Sequence, residues 1–172
     1  MNGLPKIILT DIDGVWTDGG MYYDNQGNEL KKFHTYDSAG VLFARLLNIE
    51  VGIITGEQTQ IVSRRAEKLQ ISLLRQGVKN KYQVVQEILN ERNIGWDELA
   101  YIGDDLNDIQ VLKLAGISAT PANAPDYIRQ TAKWRLETRG GDGAFREFVE
   151  KILIESGNWN TLMSKIIEGT II

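Results

Sequence analysis

Cysteine is absent from this chain, and histidine occurs once, at His34. The first absence excludes disulfides and thiolate-bound metals, and the second leaves no histidine cluster for a transition metal. No apolar run comes near the ~20 residues that a membrane-spanning helix needs. Nor does the N-terminus show the basic stretch and apolar run of a secretory signal. Basic residues are outnumbered, 19 Lys and Arg against 23 Asp and Glu, and the net charge of -4 argues against a nucleic-acid surface. No internal repeat, low-complexity segment or linker interrupts the 172 residues. Together these absences lead to the expectation of one cytoplasmic domain without membrane or nucleic-acid partners, whose metal chemistry must rest on oxygen ligands.

What is present is alternation. Short apolar runs at 7–10, 51–54, 73–74, 99–102, 117–119 and 134–136 suit strands buried on both faces. Between them, helical patterns run over 38–47, 59–69, 81–92, 107–115, 125–131 and 144–155. Ser38 and Thr59 are the expected N-caps, and Gly116 an expected C-terminal stop. This rhythm means βαβ units and an α/β fold, a parallel sheet flanked by helices. One piece breaks it. The stretch VWTDGGMYYDNQGNELKKF, 15–33, holds a turn cluster at 24–28 between two extended arms, and an inserted β-hairpin is expected there. Its aromatics, Trp16, Tyr22, Tyr23 and Phe33, suggest a surface that packs on a partner. The segment after Gly157 is mildly amphipathic and reads as a tail, 158–172, disordered or reaching a neighbour.

In a parallel sheet, ligands bind beyond the carboxyl ends of the strands. To that edge the stretch ILTDIDGVWTDGG, 8–20, delivers Asp11 and Asp13. Thr55 and Gly56 arrive there after VGII, Asp104 and Asp105 after AYIG, and Lys81 begins a helix on the same edge. Carboxylates crowd only at a cost unless a cation neutralises them. Hard oxygen ligands, with no thiolate or imidazole set available, favour Mg²⁺. The inventory suits phosphate-ester hydrolysis. One carboxylate can attack phosphorus, a second can protonate the departing oxygen and then activate water, and a lysine with the metal can oppose the phosphoryl charge.

The motif DIDGVWTDG, with Thr55, Lys81 and GDDLND at 103–108 following in order, resembles the four motifs of the haloacid-dehalogenase-like phosphatases. The resemblance implies a Rossmann-like fold, with Asp11 as nucleophile and Asp13 as general acid and base. It implies Thr55 and Lys81 as phosphoryl holders, and Asp11, the Asp13 carbonyl and Asp104 as Mg²⁺ ligands. Asp105 and Asp108 are then supporting residues that orient metal waters or Lys81. The chain lacks a large cap insertion and pairs the hairpin with RGGDGAFRE at 139–147. Over about 7–157 it therefore looks like the capless branch that acts on phosphorylated 3-deoxy-2-ulosonic acids, a single domain spanning 1–157. Members of this branch form homotetramers through their hairpins, and a neighbouring subunit closes each active site.

Within the branch, HTYDSAG at 34–40, Glu57 after Gly56, and Lys68 resemble the enzymes of a nine-carbon substrate, 2-keto-3-deoxynonulosonate 9-phosphate, used for sialic-acid-type sugars. The alternative is the eight-carbon octulosonate 8-phosphate of lipopolysaccharide biosynthesis. The substrate-binding set expected on this basis is Gly56, Glu57, Arg65, Lys68, Asp37 and Ser38. His34 reads as a hairpin residue rather than a catalyst, and Arg64 and Lys79 as solvated surface. Gly140 and Gly141 suit either a plain turn or a loop closing on an anion. Two other classes stay open: a phospho-accepting receiver and a non-catalytic binding protein. In a receiver the acidic pair precedes the acceptor, the reverse of the order here. An intact Asp13 speaks against lost turnover.

Overall fold

The computed structural model describes residues 3–169. Strands β1 (Ile7–Thr10), β4 (Glu50–Ile54), β5 (Leu73–Arg75), β6 (Leu99–Ile102), β7 (Ile117–Thr120) and β8 (Trp134–Arg135) form one sheet in the order β5-β4-β1-β6-β7-β8. Every pairing in it is parallel. The chain leaves β1 for β4 and β5 on one side, then returns to β6 on the other. Its order thus reverses beside β1, where open α/β sheets bind ligands. Strand residues alternate between two cores. Ile8, Ile53, Ala100 and Ile102 pack with Phe43 of α1 (Asp37–Leu46), Val62 of α2 (Gln60–Lys68), and Phe145 and Phe148 of α6 (Ala144–Glu155). Ile7, Leu9, Ile54 and Tyr101 face the other way. They meet Val85 of α3 (Lys81–Arg92), Val111 of α4 (Ile109–Leu114) and Ile128 of α5 (Asp126–Arg129). A strand buried on both faces has no polar side to show, which is why these runs read as continuously apolar.

Several local expectations change. The hairpin is shorter than 15–33: β2 (Tyr22–Tyr23) pairs antiparallel with β3 (Glu29–Leu30), and a single bridge joins Thr17 to Phe33. Val15 and Trp16 are buried in a turn instead of extending the arm. Trp16 packs on Phe145, with ring centroids 4.5 Å apart, so it is core rather than partner surface. Tyr22 and Tyr23 do lie exposed. Thr59 caps α2 as expected, accepting from the Val62 N–H. Ser38 does not cap α1, which begins one residue earlier behind Tyr36. Gly116 directly follows the C-cap Ala115 of α4, and it also permits a close approach, since a Cβ there would lie 2.0 Å from the Asp97 carbonyl oxygen. Beyond Gly157, helix α7 (Trp159–Ile167) buries Leu162 and sets Trp159 edge-on to Phe43. No described helix is long and apolar enough to cross a membrane.

Candidate active site

The floor of the site starts where β1 stops. The Asp11 N–H still donates across to Ile102 of β6 at 3.0 Å, so this residue is held like a strand residue. The chain then folds into a tight turn, with the N–H groups of Val15, Trp16 and Thr17 converging on the Ile12 carbonyl at 2.8–3.1 Å. Gly14 has φ +81°, and a Cβ there would fall 1.9 Å from Asp104 Oδ2. Glycine alone meets both conditions. Asp11 Oδ1 accepts from the Ile12 N–H at 2.8 Å, and Oδ2 lies 2.7 Å from Lys81 Nζ. Lys81 opens α3, whose cap Asn80 accepts from the Gln83 N–H. Its buried ammonium also lies 2.7 Å from Asp108 Oδ1. Asp108 is saturated: Oδ1 accepts from Lys81 and the Tyr101 hydroxyl, and Oδ2 from the N–H groups of Asp104 and Asp105. Thr55, buried after β4, is held by its N–H to the Arg75 carbonyl at 2.9 Å.

The electrostatics follow from this burial. Desolvation pushes the Asp11 carboxyl up to about 7, against the opposing pull of Lys81. Desolvation, reinforced by Asp11 and Asp108, pushes Asp104 to about 8. Burial alone would lower the Lys81 value, but Asp11 and Asp108 reverse that and hold it above the ordinary lysine range. Oxygens of Asp11, Asp104 and Asp108 lie within 4.8 Å of one another. Asp104 Oδ1 is buried and has no hydrogen-bond partner. The donor set therefore fits a hard divalent cation held by Asp11 and Asp104, while Asp108, with its acceptors filled, fits the supporting place expected of it.

The rim holds Asp13. Its Oδ1 accepts from Lys31 Nζ at 2.6 Å and from Thr17 Oγ1 at 3.2 Å, while buried Oδ2 has no partner. Asp11, Asp13, Asp104, Thr55, Gly56 and Glu57 line one cleft of about 270 Å³, together with Asp105 and Asn107. Eight expected or adjoining residues thus meet as the strand-end rule requires.

Other expected substrate contacts are not brought to the cleft. Arg65 and Lys68 line a separate groove with Phe33, Ile61 and Arg64. The Arg65 guanidinium lies over the Phe33 and Trp16 rings and donates to the His34 carbonyl and Ser38 Oγ. Ser38 is thereby occupied as an acceptor. Asp37 is fully buried and accepts from the N–H groups of Arg146 and Phe145, at the start of α6. It ties two helices together and is not among the residues that line the cleft. His34 Nδ1 accepts from the Tyr36 N–H, which leaves it outside the site as expected.

Several site residues were not foreseen. Lys31 sits in the pair KKF, and an extended segment sends neighbours to opposite faces, so one of Lys31 and Lys32 had to turn inward. Nothing in the pair itself says which. Asn123 donates to the Gly14 carbonyl at 3.1 Å and accepts from the Gly140 N–H at 2.6 Å. A Cβ on Gly140 would lie 1.8 Å from the Gly14 oxygen. The 139–143 loop is thus a backbone clamp on the Asp13 turn, not an anion loop. This contact spans too much sequence for any local pattern to announce it.

Comparison with known proteins agrees with this geometry. Residues 45–148 match the family model described as haloacid dehalogenase-like hydrolase. The chain is 35% identical over 152 residues to the 3-deoxy-D-manno-octulosonate 8-phosphate phosphatase KdsC of Haemophilus influenzae, covering 88% of this chain and 84% of that one. A Moraxella catarrhalis 3-deoxy-D-manno-octulosonate 8-phosphate phosphatase, solved with magnesium ion, phosphate ion and KDO, superposes with a TM-score of 0.90 at 31% identity, over 94% of this chain and 93% of that one. A probable YrbI family phosphatase from Pseudomonas syringae gives 0.91 at 37%, over 96% and 94%. With the carboxylates, lysine and threonine of that chemistry on the sheet edge where it takes place, the chain belongs to the haloacid dehalogenase-like hydrolases and is a phosphoric monoester hydrolase.

Proposed function

We propose that this chain removes the terminal phosphate of a 3-deoxy-2-ulosonic acid, with 3-deoxy-D-manno-octulosonate 8-phosphate as its first substrate. The observation that carries the chemistry is Asp11, fixed on one oxygen by Lys81 at the floor of a cleft that Asp13 also lines. The named relatives support the eight-carbon substrate over the nine-carbon one that Glu57 and Lys68 suggested. Glu57 does line the cleft, and this keeps the nine-carbon acid as the second reading.

Asp11 attacks phosphorus while Asp13 gives its proton to the departing sugar oxygen, leaving an aspartyl phosphate. Asp13 then takes a proton from water as the water oxygen attacks that phosphorus, and Asp11 leaves as a carboxylate. Thr55 and Lys81 hold the phosphoryl group between the two steps, and Asp108 keeps Lys81 aimed. Asp11, Asp104 and the Asp13 carbonyl would hold Mg²⁺, which when bound would neutralise this acidic floor and the charge of the transferred group. Asp105, exposed at the cleft, would support that ion. The exposed hairpin tyrosines and the Arg65–Lys68 groove are proposed to meet neighbouring copies in a homotetramer in the cytoplasm.

The deciding measurement is kcat/KM with Mg²⁺ for the eight- and nine-carbon phosphates side by side. A tenfold preference for the eight-carbon acid, about 1.4 kcal/mol in transition-state binding, is expected. The opposite preference would make Glu57 the specificity element, and turnover of neither would remove the substrate class while leaving the hydrolase family untouched.

A further inference from the structure

Lys31 is a charged side chain against Asp13 that the chemistry above does not use. It follows β3 directly, so the hairpin delivers it. Its side chain is 1% exposed, and its ammonium lies 2.6 Å from Asp13 Oδ1 and 3.5 Å from Glu29 Oε1. It stands behind Asp13 and is not among the residues that line the cleft. A buried ammonium at this distance restricts the carboxylate, because breaking the pair would cost the desolvated lysine charge its shortest partner. Thr17 takes the same oxygen from the other side. Both anchors therefore fall on Oδ1, and Oδ2 alone is left unpaired.

From this division we infer that Lys31 is a positioning residue: it pins Asp13 through Oδ1 and so fixes the carboxyl that carries the proton to and from the reacting oxygens. The inference rests on the phosphatase reading and assigns a task to a residue outside the family's four motifs. The proton balance is simple. The Asp13 carboxyl gives its proton to the sugar oxygen as the P–O bond breaks and that oxygen takes the bonding pair. The same carboxylate regains a proton from the water that attacks the aspartyl phosphate. Lys31 keeps its own protons throughout.

The neighbouring lysine shows that the placement is specific. Lys32 points away to Asp142 at 2.7 Å, and both members of that pair are about half exposed.

The test separates the two half-reactions with p-nitrophenyl phosphate, whose leaving group departs without a proton. General acid–base catalysis contributes roughly 10²- to 10⁴-fold, so a mispositioned Asp13 should cost at least about tenfold in each step that needs it. In Lys31→Met, aspartyl phosphate should form from the aryl phosphate far faster than it is hydrolysed. A burst of one nitrophenolate per active site should therefore precede a steady rate at least tenfold below wild type. Single-turnover cleavage of octulosonate 8-phosphate, which needs the acid, should fall at least tenfold more than the burst rate. Lys31→Arg should abolish the burst and recover most of the steady rate. Linear release without a burst overturns the inference, whether the rate is unchanged or uniformly reduced. A rise in KM alone overturns it in favour of a substrate contact. If Lys31→Met fails to melt cooperatively, Lys31→Gln is read by the same burst. The burst needs only the aryl phosphate, so a wrong choice of sugar acid leaves it intact. If the wild type hydrolyses no p-nitrophenyl phosphate, the single turnover of octulosonate 8-phosphate is read alone, and an unchanged rate in Lys31→Met overturns the inference.

Discussion

The floor and the rim of the cleft are built differently. The floor consists of Asp11, Lys81, Asp108 and Tyr101, all buried, on β1, β6 and the first turns of α3 and α4, with each polar group satisfied by the sheet or by another member. The rim hangs on a hairpin whose two strands have two residues each, with Tyr22, Tyr23 and Leu30 exposed. The floor is preorganised by the fold itself, as electrostatic catalysis requires. The rim is held by one buried ion pair and a loop from the far end of the chain, so it can be detuned without unfolding the sheet.

The largest effect expected is on the floor. Asp11→Asn removes the nucleophile and should lower turnover by about 10⁴-fold or more. It also takes one desolvated carboxylate out of the cluster, so the melting temperature in EDTA should stay level or rise. A folded variant that keeps Mg²⁺-dependent turnover above that limit would end the assignment.

The next effect concerns pH and metal. Asp11 and Asp104 are held at about 7 and about 8 against 3.8 for the ordinary carboxyl. The folded chain therefore keeps protons that the unfolded chain releases, and these groups subtract stability as pH rises from about 4 to 8. Without metal, the protein should melt lower at pH 8 than at pH 5. Added Mg²⁺, binding the ionised carboxylates, should raise the melting temperature more at pH 8 than at pH 5. Equal shifts at both pH values would mean that the ion binds elsewhere. Asp37, also near 7 through burial, is distant from the cluster and should add a pH slope that Mg²⁺ leaves unchanged.

The smallest effect lies on the outer rim. Lys32→Ala breaks an exposed ion pair with Asp142, and such pairs contribute little. Turnover and melting temperature should both stay at wild-type values, in contrast to Lys31→Met one position away. A loss comparable to that of Lys31→Met would show the whole hairpin, not one lysine, to be the working part.

Much of the floor was legible before any coordinates. Strands buried on both faces announce themselves as short apolar runs, and the rule that ligands gather at strand ends then picks out Asp11, Thr55 and Asp104. The rim was less so, because its determinants are long-range. Ser38 looked like a cap, yet the neighbouring Asp37 carboxylate is drawn to the Arg146 N–H, 109 residues away. Val15 and Trp16 looked like a strand arm because they are apolar, but their N–H groups close a turn on Ile12. Glu57 and Lys68 formed one specificity set on paper. In the fold, one lies before α2 and the other at its end, and they face different cavities.

The clamp on Gly14 has a consequence for how the chain acquires its site. The Asp13 turn is closed by Asn123, 109 residues downstream, and by the loop that follows it. Contacts so distant in sequence form late, after local helices and neighbouring strands have closed their shorter loops. During synthesis the carboxylates leave the ribosome early, but their conformation waits for nearly the whole chain. The turn is thus a record of complete folding, and a chain cut short before residue 140 carries the motif without the geometry that gives it meaning.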